Sequence, residues 1–259
     1  MLCLMTLLRN NIYTEGVNMK EIIINPLEGI EGIDMEKLLE KAPFDFTILD
    51  KIEHNSAPKN VEGFLNQHEL GYWIQMLNNR LNHLIRNYCY SLHYYNQHIP
   101  DEQWYQSPGS NGESVEYFPN FNNYDYSKWY NFRYFSEYFF LQGFSVFELI
   151  GNLIIKKYNI KLSSKQRPSF NIAVQNLEKY DIKLYNDLKI IKSSSMFKRI
   201  TNYRNDIVHN EHPQFISSGI TYHSNGVISA GVGNYTPTNV VKMLMDNLLS
   251  ILEEIIKKI

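Results

Sequence analysis

The chain reads as an all-α protein, a helical bundle of about five to six helices with a small β-hairpin inserted before the C-terminal helix. Three observations predict this. Apolar residues recur at three- and four-residue steps over two stretches of more than thirty residues each. Shorter helical patterns fill most of the rest. One region alone, 214–233, changes to a strand-like pattern, and it is centred on Asn225-Gly226.

Taken in order, residues 1–59 form an N-terminal arm. The opening run Met1-Leu2-Cys3-Leu4-Met5-Thr6-Leu7-Leu8 lacks a basic flank and a small-residue cleavage site, and it is too short to span a bilayer. Glu15-Gly16-Val17-Asn18-Met19 can be encoded by a purine-rich stretch resembling a bacterial ribosome-binding site before an ATG. Met19 is therefore the expected start, with 1–18 untranslated. Residues 20–59 are mixed and acidic, with one short helix expected near Met35–Leu39.

Residues 60–259 are expected to form one helical domain. Trp73, Leu77, Leu81, Leu84, Tyr88 and Tyr95 mark a long amphipathic helix from about Val61 to Tyr95. Pro100, Pro108-Gly109, Gly112 and Pro119 make 97–122 a long loop. A second long helix spans 124–157 and is apolar nearly all round from Tyr138 to Ile155, which predicts a central, buried position. Its charged flanks (Lys128, Arg133, Lys156, Lys157) and internal Gln142 and Asn152 argue against a membrane span. Helical patterns follow at 168–180 and 182–192. Ser193-Ser194-Ser195 then caps a helix over 195–209 that Asn210 and Pro213 end. A last helix starts near Thr236-Pro237, with Val241, Met245, Leu248, Leu252, Ile255 and Ile259 as its stripe.

The composition is that of an ordinary globular chain, 44% hydrophobic and 20% charged. The formal net charge of −2 argues against constitutive coating of nucleic acid, while leaving room for a local basic patch. Cys3 and Cys89 have neither metal spacing nor a disulfide framework, which fits a reducing cytoplasm.

Chemistry concentrates in Arg204-Asn205-Asp206-Ile207-Val208-His209. Arginine presents a flat, permanently charged fork that matches a phosphate. Histidine takes and returns a proton near neutral pH. RNA brings its own nucleophile, the 2′-hydroxyl, so cutting it needs a base, an acid and a phosphate clamp, and no metal or other cofactor. Such a spacing arises by chance about once in a chain of this composition, and a second copy, Arg86-Asn87 with His93, is present. Context separates them. Tyr88, Cys89, Tyr90 and Leu92 between Arg86 and His93 read as packing. Met196, Ile200, Tyr203 and Ile207 form the buried stripe of the other helix, with Arg204 about 40° from Ile200 at its edge. Arg204 and His209 lie about 140° apart on an ideal helix. They meet one phosphate only if the helix frays or if a second copy supplies the missing group across a twofold axis. Lys192, Lys198 and Arg199 are the expected RNA contacts on a neighbouring surface rich in lysine and arginine.

The run Tyr203-Arg204-Asn205-Asp206-Ile207-Val208-His209-Asn210 resembles the signature of the HEPN superfamily (higher eukaryotes and prokaryotes nucleotide-binding domain). The resemblance implies a small helical bundle that dimerises so that two motifs face each other. In many members it also implies a metal-independent endoribonuclease of toxin–antitoxin, phage-defence or RNA-processing systems. Carried over residue by residue, it makes Arg204, Asn205 and His209 catalytic. RNA, a second copy and an antitoxin or other partner protein are the implied partners. The alternative is a non-catalytic HEPN module that binds nucleic acid or protein. Some family toxins carry a tyrosine two positions after the histidine, which an antitoxin nucleotidylates. Glu211 stands there, so that control is not implied.

Three further features read as structural. His209 and His212 lack an evident third metal ligand. Gly231-Val232-Gly233 lacks the lysine of a phosphate loop. The Tyr- and Phe-rich stretch 117–147, which could stack bases, has the spacing of core.

Overall fold

The computed structural model describes residues 22–45 and 60–259. The expectation that Met19 is the start lies outside these residues. Among them are seven α-helices and two short antiparallel strand pairs: α1 (Met35–Leu39), α2 (Val61–Tyr95), β1 (Tyr105–Gln106), β2 (Glu116–Tyr117), α3 (Asn123–Lys157), α4 (Phe170–Leu177), α5 (Ile182–Ser193), α6 (Ser195–His209), β3 (Ile220–Tyr222), β4 (Ile228–Ala230) and α7 (Thr238–Lys258). The fold is mostly α with a hairpin before the last helix, as the periodicity predicts.

The body is an antiparallel pair, α2 and α3, on which the other helices pack. The period of the apolar residues explains the pairing. Leu77, Leu81, Leu84 and Tyr88 of α2 and Phe132, Phe139, Phe140 and Phe147 of α3 are almost fully buried. The aromatic residues of 117–147 are therefore largely core, where each ring removes a large apolar area from water. Length and composition alone would let α3 cross a membrane, but more than half of its most apolar window is buried inside the bundle. It contacts α2, α4, α6 and α7.

Two close approaches fix how neighbours dock on α3. A side chain at Gly143 would collide with Leu248 of α7, and one at Gly151 would sit 2.5 Å from the backbone nitrogen of Phe170, the first residue of α4. The arm does not stand apart. Ser127 and Asn131 of α3 bond to the backbone of Asn25 and Leu27, and Ile24, Leu38 and Phe44 are buried.

The loop at 97–122 contains the β1–β2 pair, a local order that its Pro and Gly content conceals. It also bolts down α7. Asp101 is fully buried and accepts from the Thr238 backbone N–H at 2.8 Å, from the Thr238 hydroxyl at 2.8 Å and from the Tyr235 hydroxyl at 2.5 Å. Burial pushes the Asp101 carboxyl up and these three donors pull it down. The carboxylate stands at the N-terminus of α7, where the helix dipole favours negative charge.

The β3–β4 hairpin projects from this end. Ser224-Asn225-Gly226 closes it, with His223 N–H donating to Val227 O and Gly226 N–H to His223 O. Gly226 takes φ 80°, the left-handed conformation that ends a three-residue turn.

Candidate active site

Helix α6 owes its register to its cap and its stripe. The Ser194 hydroxyl accepts from Phe197 N–H, satisfying one of the free donors of the first turn. Ile200 and Tyr203 are buried, with the Tyr203 ring 4.8 Å from Phe140 and the Phe197 ring 5.4 Å from Phe147. The helix thus lies along α3, and its C-terminal half carries Arg204 and His209 out of the core.

Arg204 is held rather than loose. Its Nη1 donates to Asn205 Oδ1 at 3.1 Å, and its guanidinium lies 5.1 Å from the Phe144 ring centroid. Its Nε is buried without a partner among the described residues. No ion pair to Arg204 occurs among them either, and the nearest carboxylate in sequence, Asp206, accepts instead from Asn210 Nδ2 at 2.8 Å. The arginine is therefore a positioned cation whose charge no carboxylate neutralises. Such a group suits an anion brought from outside.

His209 is exposed at the last turn of α6 and its ring makes no hydrogen bond among the described residues. The helix stays regular to His209, with Asn210 N–H donating to Asp206 O at 3.1 Å. The structure therefore pairs Arg204 with Asn205 and leaves His209 on another face, about 140° away and roughly 7.5 Å further along the axis. Fraying does not close that gap.

Lys198 and Arg199 are exposed on the first half of α6. Lys198, Asn205 and His209 fall within about 40° on an ideal helix and form one polar line. Lys192 differs. It is half-buried with its ammonium 5.7 Å from the Phe170 ring centroid, and burial pulls its pKa down. Other lysines of the basic surface are also engaged: Lys156 with Glu69 at 2.6 Å, and Lys157 with the carbonyl of Ile259. The rival pair does not converge. Arg86 is exposed, while His93 bonds Gln97 at 2.8 Å and burial lowers its pKa.

The segment after His209 is fastened to α3 by residues that sequence reading leaves unconnected. His212 accepts from Gln214 N–H at Nδ1, which turns Nε2 toward Glu137 Oε2, 3.6 Å away. The Phe215 ring stacks on the Arg133 guanidinium at 4.2 Å, and Trp129 lies on it at 4.6 Å. The nearby His212 ring holds the Glu137 carboxyl below its usual range, against desolvation, with Arg133 adding to the effect. Burial pulls the Arg133 pKa down. Arg133 Nη1, His212 Nε2 and both amide atoms of the fully buried Gln214 have no hydrogen bond among the described residues. Arg133 and Glu137, one turn apart within an aromatic helix, were the available signal. His212 holds the loop through these contacts. No group of three or more His, Cys, Asp or Glu converges among the described residues.

A long helical pair thus carries the Arg-polar-x3-His helix on its side, with His209 exposed. The family model described as Cthe2314-like HEPN matches residues 73–259, and the chain belongs to that family. No curated protein and no solved structure matches the chain at a significant level.

Proposed function

We propose that this HEPN protein is a metal-independent endoribonuclease that works as a homodimer in the cytoplasm, in a toxin–antitoxin, defence or RNA-processing setting. The carrying observation is Arg204: a cation oriented by Asn205 and Phe144, with no ion pair among the described residues, on the same helix as the exposed His209. In this reading His209 takes the proton of the 2′-hydroxyl as it attacks the adjacent phosphate. The 5′-oxygen leaves with a proton returned by a histidine, and a 2′,3′-cyclic phosphate remains. Arg204 steadies the charge that builds on the phosphate oxygens. Asn205 keeps the guanidinium in place. Lys198 and Arg199 extend the track for the RNA backbone. Because Arg204 and His209 point to different sides of a regular helix, the complete site draws Arg204 from one chain and His209 from the other.

The purified protein should cut RNA and spare DNA of the same sequence, leave 2′,3′-cyclic ends and work in EDTA. Arg204→Ala and His209→Ala should each lower the rate by about 10²–10⁴-fold with unchanged circular dichroism, whereas Arg86→Ala and His93→Ala should change it little. Magnesium-dependent cleavage would exclude this mechanism. Binding of RNA or a protein without cleavage would favour the second reading, a non-catalytic HEPN module. The separation of Arg204 and His209 within one chain is the observation on that side.

A further inference from the structure

We infer that β4 is a self-pairing edge, and that two copies of this chain join their β3–β4 hairpins into one four-stranded sheet. This deepens the homodimer of the proposed ribonuclease by naming its seam.

The hairpin has two unlike faces. The register pairs Ile220 with Ala230, Thr221 with Ser229 and Tyr222 with Ile228. Side chains alternate across a strand, so Ile220, Tyr222, Ile228 and Ala230 share one face and Thr221 and Ser229 the other. The polar face is internally tied, with His223 Nε2 and Ser229 Oγ 2.9 Å apart. The apolar face is bare: Ile220 is 49% exposed, Tyr222 76% and Ile228 62%. This hairpin is not a loosely hung loop. Ser217 N–H bonds to Asn234 O, Asn234 N–H to Ser217 Oγ and Gly231 N–H to Gly219 O. Gly219 has φ 70°, and a side chain there would lie 2.1 Å from Gly231 O.

Charge identifies the class of occupant. Residues 212–241 contain no Asp, Glu, Lys or Arg, where the composition of the chain predicts about six. Phosphate contacts are made largely by cations, so an uncharged face is poorly suited to RNA. Exposed edge strands usually carry lysine, proline or a bulge that blocks pairing, and β4 carries no lysine or proline. A neutral apolar surface meets a copy of itself without repulsion. Tyr222 alone leaves over 100 Å² uncovered. Val208, 42% exposed, and Phe215, 50% exposed, are further exposed apolar residues between the end of the motif helix and the hairpin in sequence. A stable interface buries about 800 Å² per partner, so residues beyond the hairpin face join the seam.

The ladder selects the edge and the register. Gly231 N–H to Gly219 O and His223 N–H to Val227 O mark those pairs as hydrogen-bonded. By alternation, Thr221–Ser229 bonds inward as well, and the N–H and C=O groups of Ile220, Tyr222, Ile228 and Ala230 point outward. Ile220 N–H is capped by Ser218 Oγ at 3.4 Å. Those of Ile228 and Ala230 have no partner among the described residues. A twofold axis through Ser229 sets Ile228 of one chain opposite Ala230 of the other, twice. Both pairs then exchange the outward-pointing bonds, and the apolar faces stay on one side of the joined sheet. The two Ser229 residues form a non-hydrogen-bonded pair with Cα atoms about 4.5 Å apart.

That distance is the test. In the full chain, Ser229→Cys should oxidise to a disulfide-linked dimer, because the spacing suits a disulfide; Thr221→Cys and the wild type should not. Ala230→Pro removes an outward N–H that the hairpin itself does not use. It should raise the dimer dissociation constant about 30-fold or more, the loss of two bonds across the seam, with the melting curve unchanged. Ile228→Lys should also give monomer, by charge at the seam. The proposal fails if Ala230→Pro and Ile228→Lys remain dimers by light scattering and Ser229→Cys does not cross-link. In that case a dimer with ribonuclease activity survives through another face. It fails equally if the wild type is monomeric, which makes a different protein the occupant, or if Ala230→Pro loses RNA binding while staying dimeric, which makes RNA the occupant. Cross-linked dimers without cleavage would leave the seam standing and remove the ribonuclease reading.

Discussion

At the residue scale the site is a set of side chains given or denied partners. Arg204 has an amide and an aromatic ring and no carboxylate, while Arg133, one helix away, has Trp129 and Phe215 as ring partners and lies near Glu137. The first arrangement leaves a cation without an ion pair among the described residues, as the proposed phosphate clamp requires. The second uses one to hold a loop. Arg204, Asn205 and His209 are readable in the sequence because their spacing is local. Glu137 and His212 are not, since 75 residues separate them and only the packing of α6 on α3 brings them together. Their pairing has a pH signature. The Glu137 carboxyl is held below its usual range by His212 first. A depressed carboxyl stabilises the fold above its unfolded pKa, and that contribution disappears as pH falls through the folded value. The gap in melting temperature between the wild type and Glu137→Gln should therefore be full at neutral pH and shrink below about pH 4.3. A gap that stays constant down to pH 3 would show that the carboxylate charge is not what holds the loop.

At the element scale, helices were legible to within a residue or two where their apolar period was long. The pattern over 61–95 became α2, and that over 124–157 became α3. The β1–β2 pair escaped because two-residue strands are too short to establish an alternation. Helix crossings escaped for a different reason: a glycine inside a helix gives no sign of which neighbour needs the space. Gly151 faces the backbone at the start of α4. Gly151→Ala should gain helix propensity yet destabilise the protein by about 1–3 kcal/mol through overpacking, measured by urea unfolding. A stabilised variant would mean that α4 can slide along α3. Because α4 also carries Phe170, against which Phe147 and Lys192 lie, the same change should loosen the N-terminal support of α6.

At the scale of the whole molecule the question is how a regular helix with groups on two faces makes one site. In the proposed homodimer two copies answer it, and the answer is measurable. Arg204→Ala and His209→Ala are expected to be inactive alone. Mixed and allowed to exchange, they form heterodimers in which one composite site keeps both groups. Activity should then return to about a quarter of wild type, since half of the dimers are mixed at random exchange and each carries one of two sites. No recovery despite proven exchange would place Arg204 and His209 in the same site of a single chain.

One feature of the fold bears on how the molecule opens. Asp101 ties the start of α7 to a loop 137 residues earlier, through a fully buried carboxylate. Neither side can leave alone without stranding a buried charge, so the 97–122 loop and the first turns of α7 should behave as one cooperative unit. In native-state hydrogen exchange, the amides of Thr238, Val241 and Phe118 should report a common opening free energy, close to that of global unfolding. Asp101→Asn should lower all three together. A loop rich in proline and glycine would then be among the last parts of the protein to exchange its protons with the solvent.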